Sequence, residues 1–293
     1  MKKVLNLLLA LVLTVSMVIA LAACGKKDTR ETLTVGMECN YAPFNWTENK
    51  KSKTNYPIDG TKKYAEGYDV QMSKKIADKL DKKLVIKQLD WDALIPSIQN
   101  GIIDLIIAGM SPLEERKLDI DFTNPYYTSE HVMLVKASSA FASKTDIADF
   151  AGAKIAGQIG TTYVDIAHAV EGATTDQSWD KPTVPELVTL IQNGIIDGTV
   201  VELPVAQGLV AADSSLAMVR FESGKGFKWI NETDEDNVTT KREINDMDRI
   251  VSIGLKKNRT ELANAINEFL STLTEQERTD MMAAAVTANA NNE

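Results

Sequence analysis

Seven consecutive residues occur twice in the chain, Ile98-Gln99-Asn100-Gly101-Ile102-Ile103-Asp104 and Ile191-Gln192-Asn193-Gly194-Ile195-Ile196-Asp197. Each copy closes an amphipathic segment with Asn-Gly, a pair suited to a left-handed helix cap, and then enters an apolar run that reads as a buried strand. A chance identity is the competing reading, because Asn-Gly is a general helix stop signal. The matching helix-then-strand context on both sides favours a structural repeat, one copy in each of two similar lobes. A length of 293 residues also exceeds the size at which one core usually stops growing.

Neighbouring segments give the repeat its setting. Leu33-Thr34-Val35 alternates as a strand does, Val70, Ile76, Ala77 and Leu80 recur near helical spacing, and Leu84-Val85-Ile86 reads as the next strand. Asp69, after Gly67-Tyr68, reads as the cap of the intervening helix. Strand, helix, strand in this order predicts a parallel crossover, hence an α/β fold class with two Rossmann-like lobes. In open parallel sheets ligands sit beyond the carboxyl ends of the strands. The first repeat strand, Leu105 to Ala108, delivers Gly109-Met110-Ser111 there, and the second, Gly198 to Val201, delivers Glu202. One segment from each lobe thus points at a shared cleft.

Ahead of this body, Lys2 and Lys3 precede an apolar run from Val4 to Ala23 that ends in Leu21-Ala22-Ala23-Cys24-Gly25. The run is long enough to span a bilayer, so a retained transmembrane helix is one reading. A basic start and small residues at the end fit a cleaved export signal over residues 1–23 better. Leu-Ala-Ala-Cys is similar to the bacterial lipoprotein signal, which implies acylation of Cys24 and a lipid anchor in the cell membrane. Each buried CH₂ of an acyl chain contributes about 0.8 kcal/mol to attachment. Residues 24–31 are short and charged, as a tether would be. Cys39 is the other cysteine. With Cys24 lipidated no intramolecular disulfide can form, and Cys39 reads as a small packing residue. The expected location is extracytoplasmic, a Gram-positive surface ahead of a periplasm.

A formal charge of −9, nearer −11 without Lys2 and Lys3, argues against nucleic acid as partner and mildly favours a cationic small ligand. Only His131 and His168 are present, and the chain contains no His-Glu-x-x-His, no Gly-x-Ser-x-Gly, no paired cysteine ligands and no Walker loop. Neither catalysis nor a metal or cofactor is expected.

Several residues at the predicted cleft can hold a small molecule. Arg116, five residues after Ser111, offers a planar fork matched to a carboxylate; a surface ion pair with Glu114 or Asp119 is the equal alternative. A charge pair at 4 Å and an effective dielectric near 20 interacts by about 4 kcal/mol before desolvation is subtracted. Gly160-Thr161-Thr162 precedes a helical pattern, so one threonine caps a helix whose free N–H groups can also face an anion. Glu202 could hold an ammonium or simply open the helix that Pro204 signals. Tyr41, Phe44 and Trp91 could press on a ligand or belong to the core, and Glu38 lies one loop away from them.

Together these segments resemble the polar amino-acid-binding proteins of ABC importers, the branch that includes lysine/arginine/ornithine-, histidine- and glutamine-binding proteins. The resemblance runs in family order through Val35-Gly36, Tyr41-Ala42-Pro43-Phe44, Gly67-Tyr68-Asp69-Val70, Trp91-Asp92-Ala93-Leu94-Ile95-Pro96-Ser97, Gly109-Met110-Ser111, Glu115-Arg116, Asp121-Phe122-Thr123-Asn124-Pro125-Tyr126-Tyr127 and Gly160-Thr161-Thr162. It implies a type II periplasmic-binding-protein fold, with hinge crossings near Tyr127 to Glu130 and Asp246 to Ile250. Residues 32–128 plus 247–293 would form the first lobe and 129–246 the second.

The resemblance further implies that Arg116, Ser111 and Thr162 clamp an α-carboxylate, with Thr161 beside them in the ligand site. Gly109, next to Met110, would accept from the α-ammonium. Tyr41 and Trp91 would bracket the ligand side chain, with Glu38 at its far end, and Gln158 would line the site at a position that is often apolar in the family. Glu202 stands where the family usually has aspartate. The implied protein is a monomer that binds a free amino acid by hinge closure and passes it to importer permease subunits. A basic amino acid, Lys, Arg or His, is preferred; glutamine or another polar amino acid is the alternative. A dehydratase or peptidoglycan-active enzyme on the same fold is a more distant one. Residues 48–66 are longer than the motifs around them require and read as a surface loop.

Overall fold

The computed structural model describes residues 28–233 and 238–290; Cys24 and the leader lie outside the described residues. The folded body begins at Thr32.

The body opens with β1 (Thr32–Met37), followed by four short strands, β2 (Asn40–Tyr41), β3 (Asn45–Glu48), β4 (Tyr56–Pro57) and β5 (Tyr64–Glu66). Next come α1 (Tyr68–Lys79), β6 (Lys83–Gln88), α2 (Trp91–Gln99), β7 (Leu105–Ile106), α3 (Glu114–Asp119) and β8 (Ile120–Thr128). The chain then enters β9 (His131–Lys136), β10 (Ile155–Ala156), α4 (Thr162–Ala169), α5 (Val184–Gln192), β11 (Gly198–Glu202), α6 (Leu203–Ala212) and β12 (Leu216–Val219). A hairpin of β13 (Trp229–Thr233) and β14 (Thr239–Glu243) precedes β15 (Ile250–Lys256), α7 (Thr260–Thr272) and α8 (Glu275–Ala290).

Two main sheets result. One has the order β6-β1-β7-β15-β8, with β1 parallel to both β6 and β7 and β15 antiparallel to its neighbours. The other has the order β10-β11-β9-β12, in which β10 and β11 are parallel. The chain passes between the sheets at 129–130 and returns at 246–249, and the crossings are joined by the Ser129 N–H, which donates to the Arg249 carbonyl at 2.9 Å. The central strands are apolar on both faces: Val35, Leu105, Ile106, Ile253 and Leu255 are fully buried in the first sheet, Val201 and Met133 in the second. Each such side chain contributes about 1.5–3 kcal/mol relative to exposure.

The sequence repeat is a structural repeat. In α2 and α5 the cap residues Asn100 and Asn193 are followed by Gly101 and Gly194, with φ of 70° and 69°. Ile102 N–H closes one cap on the Ser97 carbonyl at 2.9 Å, and Ile195 N–H closes the other on Leu190 at 3.0 Å. Only glycine takes that backbone without strain, which is why Asn-Gly ends both helices. The terminal aspartates then do the same work. Asp104 Oδ2 accepts the Thr34 N–H at 2.9 Å and Asp197 Oδ2 accepts the Lys154 N–H at 2.8 Å, while each aspartate's own N–H returns to the carbonyl of the same partner, at 2.8 and 2.7 Å. Each repeat therefore sews its strand to the strand or strand entry beside it at the end remote from the cleft.

Three expectations are corrected. Residues 48–66 are not merely a surface loop: β3, β4 and β5 belong to a four-stranded sheet with β2, Ile58 is buried and bridges Ile86 of β6, and Ala65 is fully buried. The physical reason is the apolar Tyr56, Ile58, Tyr64 and Ala65 set among the lysines. Asp69 is not a helix cap, since Gly67 occupies that position and Asp69 sits fully buried in the first turn of α1. Its carboxylate instead accepts from Asn45 Nδ2 and the Tyr126 hydroxyl, both at 2.8 Å. The last helix does not rest on the first sheet's helices alone: α8 packs on α1 but also along α6, where Asn289 lies against Gly208.

Candidate functional site

The carboxyl ends of β1, β7 and β10 converge on a small, tightly closed cavity. Its walls are Glu38, Tyr41, Trp91, Gly109, Ser111, Arg116, Gln158, Thr161 and Thr162, all foreseen from the sequence, together with Ala108 and Tyr163. Of the other foreseen residues, Met110 faces an adjoining cavity beside Trp91 and Arg116. Glu202 ends β11 fully within the protein, and neither carboxylate oxygen has a hydrogen-bond partner. A larger groove runs along the crossing at Tyr127–His131 and the loop Phe221–Lys228. Convergent donors and aromatic faces belong to the smaller cavity, which is why it is the candidate site.

One end of the cavity is rich in donors. Arg116 lies in α3 and is buried, which settles the even choice against a surface ion pair. Its Nη1 donates to the Ser111 carbonyl at 2.9 Å and its Nη2 to the Gly160 carbonyl at 3.1 Å. The guanidinium carbon stands 5.3 Å from the Trp91 ring centroid, a stacking distance for a cation on an aromatic face. Burial lowers the Arg116 pKa from its ordinary value; a guanidinium starts so high that it stays charged. Thr161 caps α4, accepting the Tyr163 N–H at 3.2 Å while its hydroxyl donates to the Gln158 carbonyl at 2.8 Å. The first-turn N–H groups of α4 and the buried Thr162 hydroxyl add to the positive potential.

The aromatic faces are held by packing. Tyr41 stacks on Phe44 with ring centroids 5.6 Å apart and planes 8° apart. Gly109, with φ of 64°, comes so close to the Tyr41 ring that an added Cβ would lie 3.3 Å from it. Trp91 opens α2, and its indole Nε1 donates to the Gly160 carbonyl at 2.9 Å. The Gly160 carbonyl thus receives donors from both Trp91 and Arg116, drawing the segment after β10 toward the segments after β6 and β7.

The same cavity has an acidic wall. Glu38 is buried, and burial, with Asp90 and Asp92 nearby, pushes its carboxyl up to about 7 despite a hydrogen bond from Gln158. Glu202, delivered by β11 as expected, does not line the cavity; burial raises its carboxyl to about 8. Among the described residues no group of His, Cys, Asp and Glu side chains could hold a metal ion.

Sequence reasoning missed a scaffold behind the cavity. The Tyr126 hydroxyl donates to Asp69 Oδ1 at 2.8 Å and accepts the Gly109 N–H at 2.9 Å. Asn45 donates to the other Asp69 oxygen at 2.8 Å and accepts the Cys39 N–H at 2.7 Å. One buried carboxylate therefore fixes both Gly109 and the turn that carries Glu38. Tyr126 and Asp69 both lay in segments that carried the resemblance, but nothing local paired them.

Comparison with known proteins identifies the family and the fold. The family model for bacterial extracellular solute-binding proteins, family 3, matches residues 33–285. Among characterised relatives, a probable histidine-binding protein of Campylobacter jejuni is 30% identical over 210 residues, covering 71% of this chain and 75% of the relative. The arginine-binding extracellular protein ArtP of Bacillus subtilis is 27% identical over 221 residues, covering 74% and 79%. The glutamine-binding protein GlnH of the same organism is 26% identical over 293 residues, covering 96% and 95%. Among solved structures, the amino acid ABC transporter substrate-binding protein AbpA of Streptococcus pneumoniae, bound to L-arginine, superposes with a TM-score of 0.67 at 25% identity, covering 89% of this chain and 96% of its own. The chain belongs to the bacterial extracellular solute-binding proteins, family 3, and has their type II periplasmic-binding-protein fold.

Proposed function

We propose that this protein binds a free L-amino acid, with a basic side chain preferred, in the cavity between its two main sheets and delivers it to an ABC importer. The observation that carries the reading is the polarity of the cavity. The Arg116 guanidinium and the start of α4, the Glu38 carboxylate, and the Tyr41 and Trp91 rings all line one small space. Arg116, Ser111, Thr161 and Thr162 hold the α-carboxylate, for which a guanidinium and helix N–H groups are suited. Gly109 takes the α-ammonium through its carbonyl, Glu202 adds negative charge beyond the cavity wall, and Met110 backs the clamp. A cationic side chain ending at Glu38 supplies the opposite charge that this buried carboxylate lacks among the described residues. Names of relatives and structural neighbours that bind arginine or histidine support the basic preference, and GlnH keeps glutamine as the alternative.

Residues 32–128 with 247–293, and 129–246, act as two lobes that close about the crossings at 127–130 and 246–250. Binding favours closure because the ligand touches both lobes only in the closed form. Cys24 carries a lipid anchor, and the body works as a monomer outside the cell membrane. Calorimetric titration with free amino acids tests the binding role. Saturable heat with L-arginine, L-lysine or L-histidine and no chemical turnover is the expected result; conversion of the added compound to product would favour an enzyme on the same fold.

A further inference from the structure

We propose that Gln158 is a specificity-determining latch: its amide holds Glu38 across the cleft, and a ligand side chain gains that carboxylate only by displacing it. This rests on the reading of the cleft as an amino-acid site and adds a role for Gln158 other than direct ligand contact.

Glu38 follows β1 of the five-stranded sheet and Gln158 follows β10 of the four-stranded sheet, so a bond between their side chains spans the cleft. Gln158 Nε2 donates to Glu38 Oε1 at 3.3 Å and to the Pro182 carbonyl at 2.9 Å. Both residues are buried, and the Glu38 backbone is fixed by Gln88 Nε2, which donates to its carbonyl at 3.1 Å. The bond to Glu38 is long, the bond to Pro182 is not. Pro182 is itself held: Ile159 N–H donates to the Lys181 carbonyl at 2.9 Å and Gly157 N–H to buried Asp180 Oδ1 at 3.0 Å. The amide can therefore surrender Glu38 and remain hydrogen-bonded to Pro182.

That asymmetry sets a threshold for the ligand. A cationic side chain replaces a long contact from a neutral amide with an ion pair in which donor and acceptor are both charged, which is the stronger kind. A ligand ending in an amide replaces like with like. A short ligand leaves the latch shut. Because the latch joins the two sheets without help from any ligand, it also favours the closed form and so subtracts from the affinity of every ligand that must open it.

The test is small-angle scattering of the amino-acid-free protein together with calorimetric titration of L-arginine, on wild type, Gln158→Leu and Glu38→Gln. Gln158→Leu removes the donor, so it is less compact than wild type and binds L-arginine about three- to tenfold more tightly. Glu38→Gln keeps an acceptor for the Gln158 N–H, so it stays as compact as wild type while its arginine affinity falls about tenfold or more. A Gln158→Leu protein with wild-type compactness, or one that binds L-arginine no more tightly, overturns the latch, as does a Glu38→Gln protein that expands. Should no amino acid bind wild type while Gln158→Leu still expands, the amino-acid reading fails and the latch across the cleft stands.

Discussion

Tyr126 and Asp69 meet through a 2.8 Å hydrogen bond from the phenol to the carboxylate, and the same phenol oxygen receives the Gly109 N–H at 2.9 Å. Gly109 reaches the cavity from β7, Tyr126 lies in β8, and Asp69 lies in α1. The contact therefore ties a helix and a neighbouring strand to the segment of the site where a ligand ammonium is to be bound. Replacing Tyr126 with Phe leaves Asp69 short of a donor and Gly109 N–H without its acceptor. A buried polar group left unpaired costs about 1–3 kcal/mol, so Tyr126→Phe is expected to lower unfolding stability by about that amount. Amino-acid affinity should fall with it, read by denaturant unfolding and calorimetry on the same preparation.

Arg116 gives a different balance. Its guanidinium bonds two carbonyls, of Ser111 and Gly160, and both are loop groups near the cleft. Arg116→Ala is expected to abolish measurable amino-acid binding while changing stability without ligand by only about 1 kcal/mol. Arg116→Lys keeps the charge but loses the planar fork, and should recover only part of the affinity.

Glu202 predicts a pH dependence of stability. Its carboxyl is raised to about 8 in the folded protein by burial, against a value near 4.5 when exposed. Between these values the folded state holds the proton more firmly than the unfolded state. The resulting stability is fully present below about pH 4.5 and is lost as pH rises toward about 8, by up to about 1.4 kcal/mol per pH unit. Glu202→Gln, neutral throughout, should flatten that slope in denaturant unfolding followed across the range.

Glu38 predicts a proton linkage of binding. With its carboxyl at about 7, a substantial share of molecules are protonated there near neutral pH. A cationic side chain favours the ionised form, so binding L-arginine at pH 7 should release protons. Calorimetric heats would then differ between buffers of different ionisation enthalpy and converge at about pH 9. Affinity for arginine should weaken as pH falls below about 7, because a neutral carboxyl offers no charge.

Part of the site is legible in the chain because the first copy of the repeat marks where β7 delivers Gly109 and Ser111, whereas the strand after the second copy delivers Glu202, which does not line the cavity. Asn-Gly needs only local backbone chemistry to end a helix, and a threonine before a helical pattern needs only local geometry to cap one. Hence Ser111, Arg116, Thr161 and Thr162 could be named from neighbours in sequence. Asp69 could not be read correctly, since its partners Asn45 and Tyr126 are 24 and 57 residues away and a residue just before a helix resembles a cap. The strands within 48–66 were hidden for a related reason. Their apolar residues are two or three at a time among lysines, and only pairing with each other and with the edge of β6 gives them a buried face. The Gly160 carbonyl, a backbone atom, has no side-chain signature at all, yet Trp91 and Arg116 both turn toward it.

A free amino acid held in the cavity by its carboxylate at Arg116 and by its side chain at Glu38 must lose its binding when the guanidinium is removed. The most direct measurement is calorimetric titration of wild type and Arg116→Ala with L-arginine, L-lysine, L-histidine and L-glutamine at pH 8. The account predicts saturable binding to wild type, strongest for a basic amino acid, and none to Arg116→Ala. Wild-type affinity in Arg116→Ala, or no heat from any of the four with wild type, would contradict it.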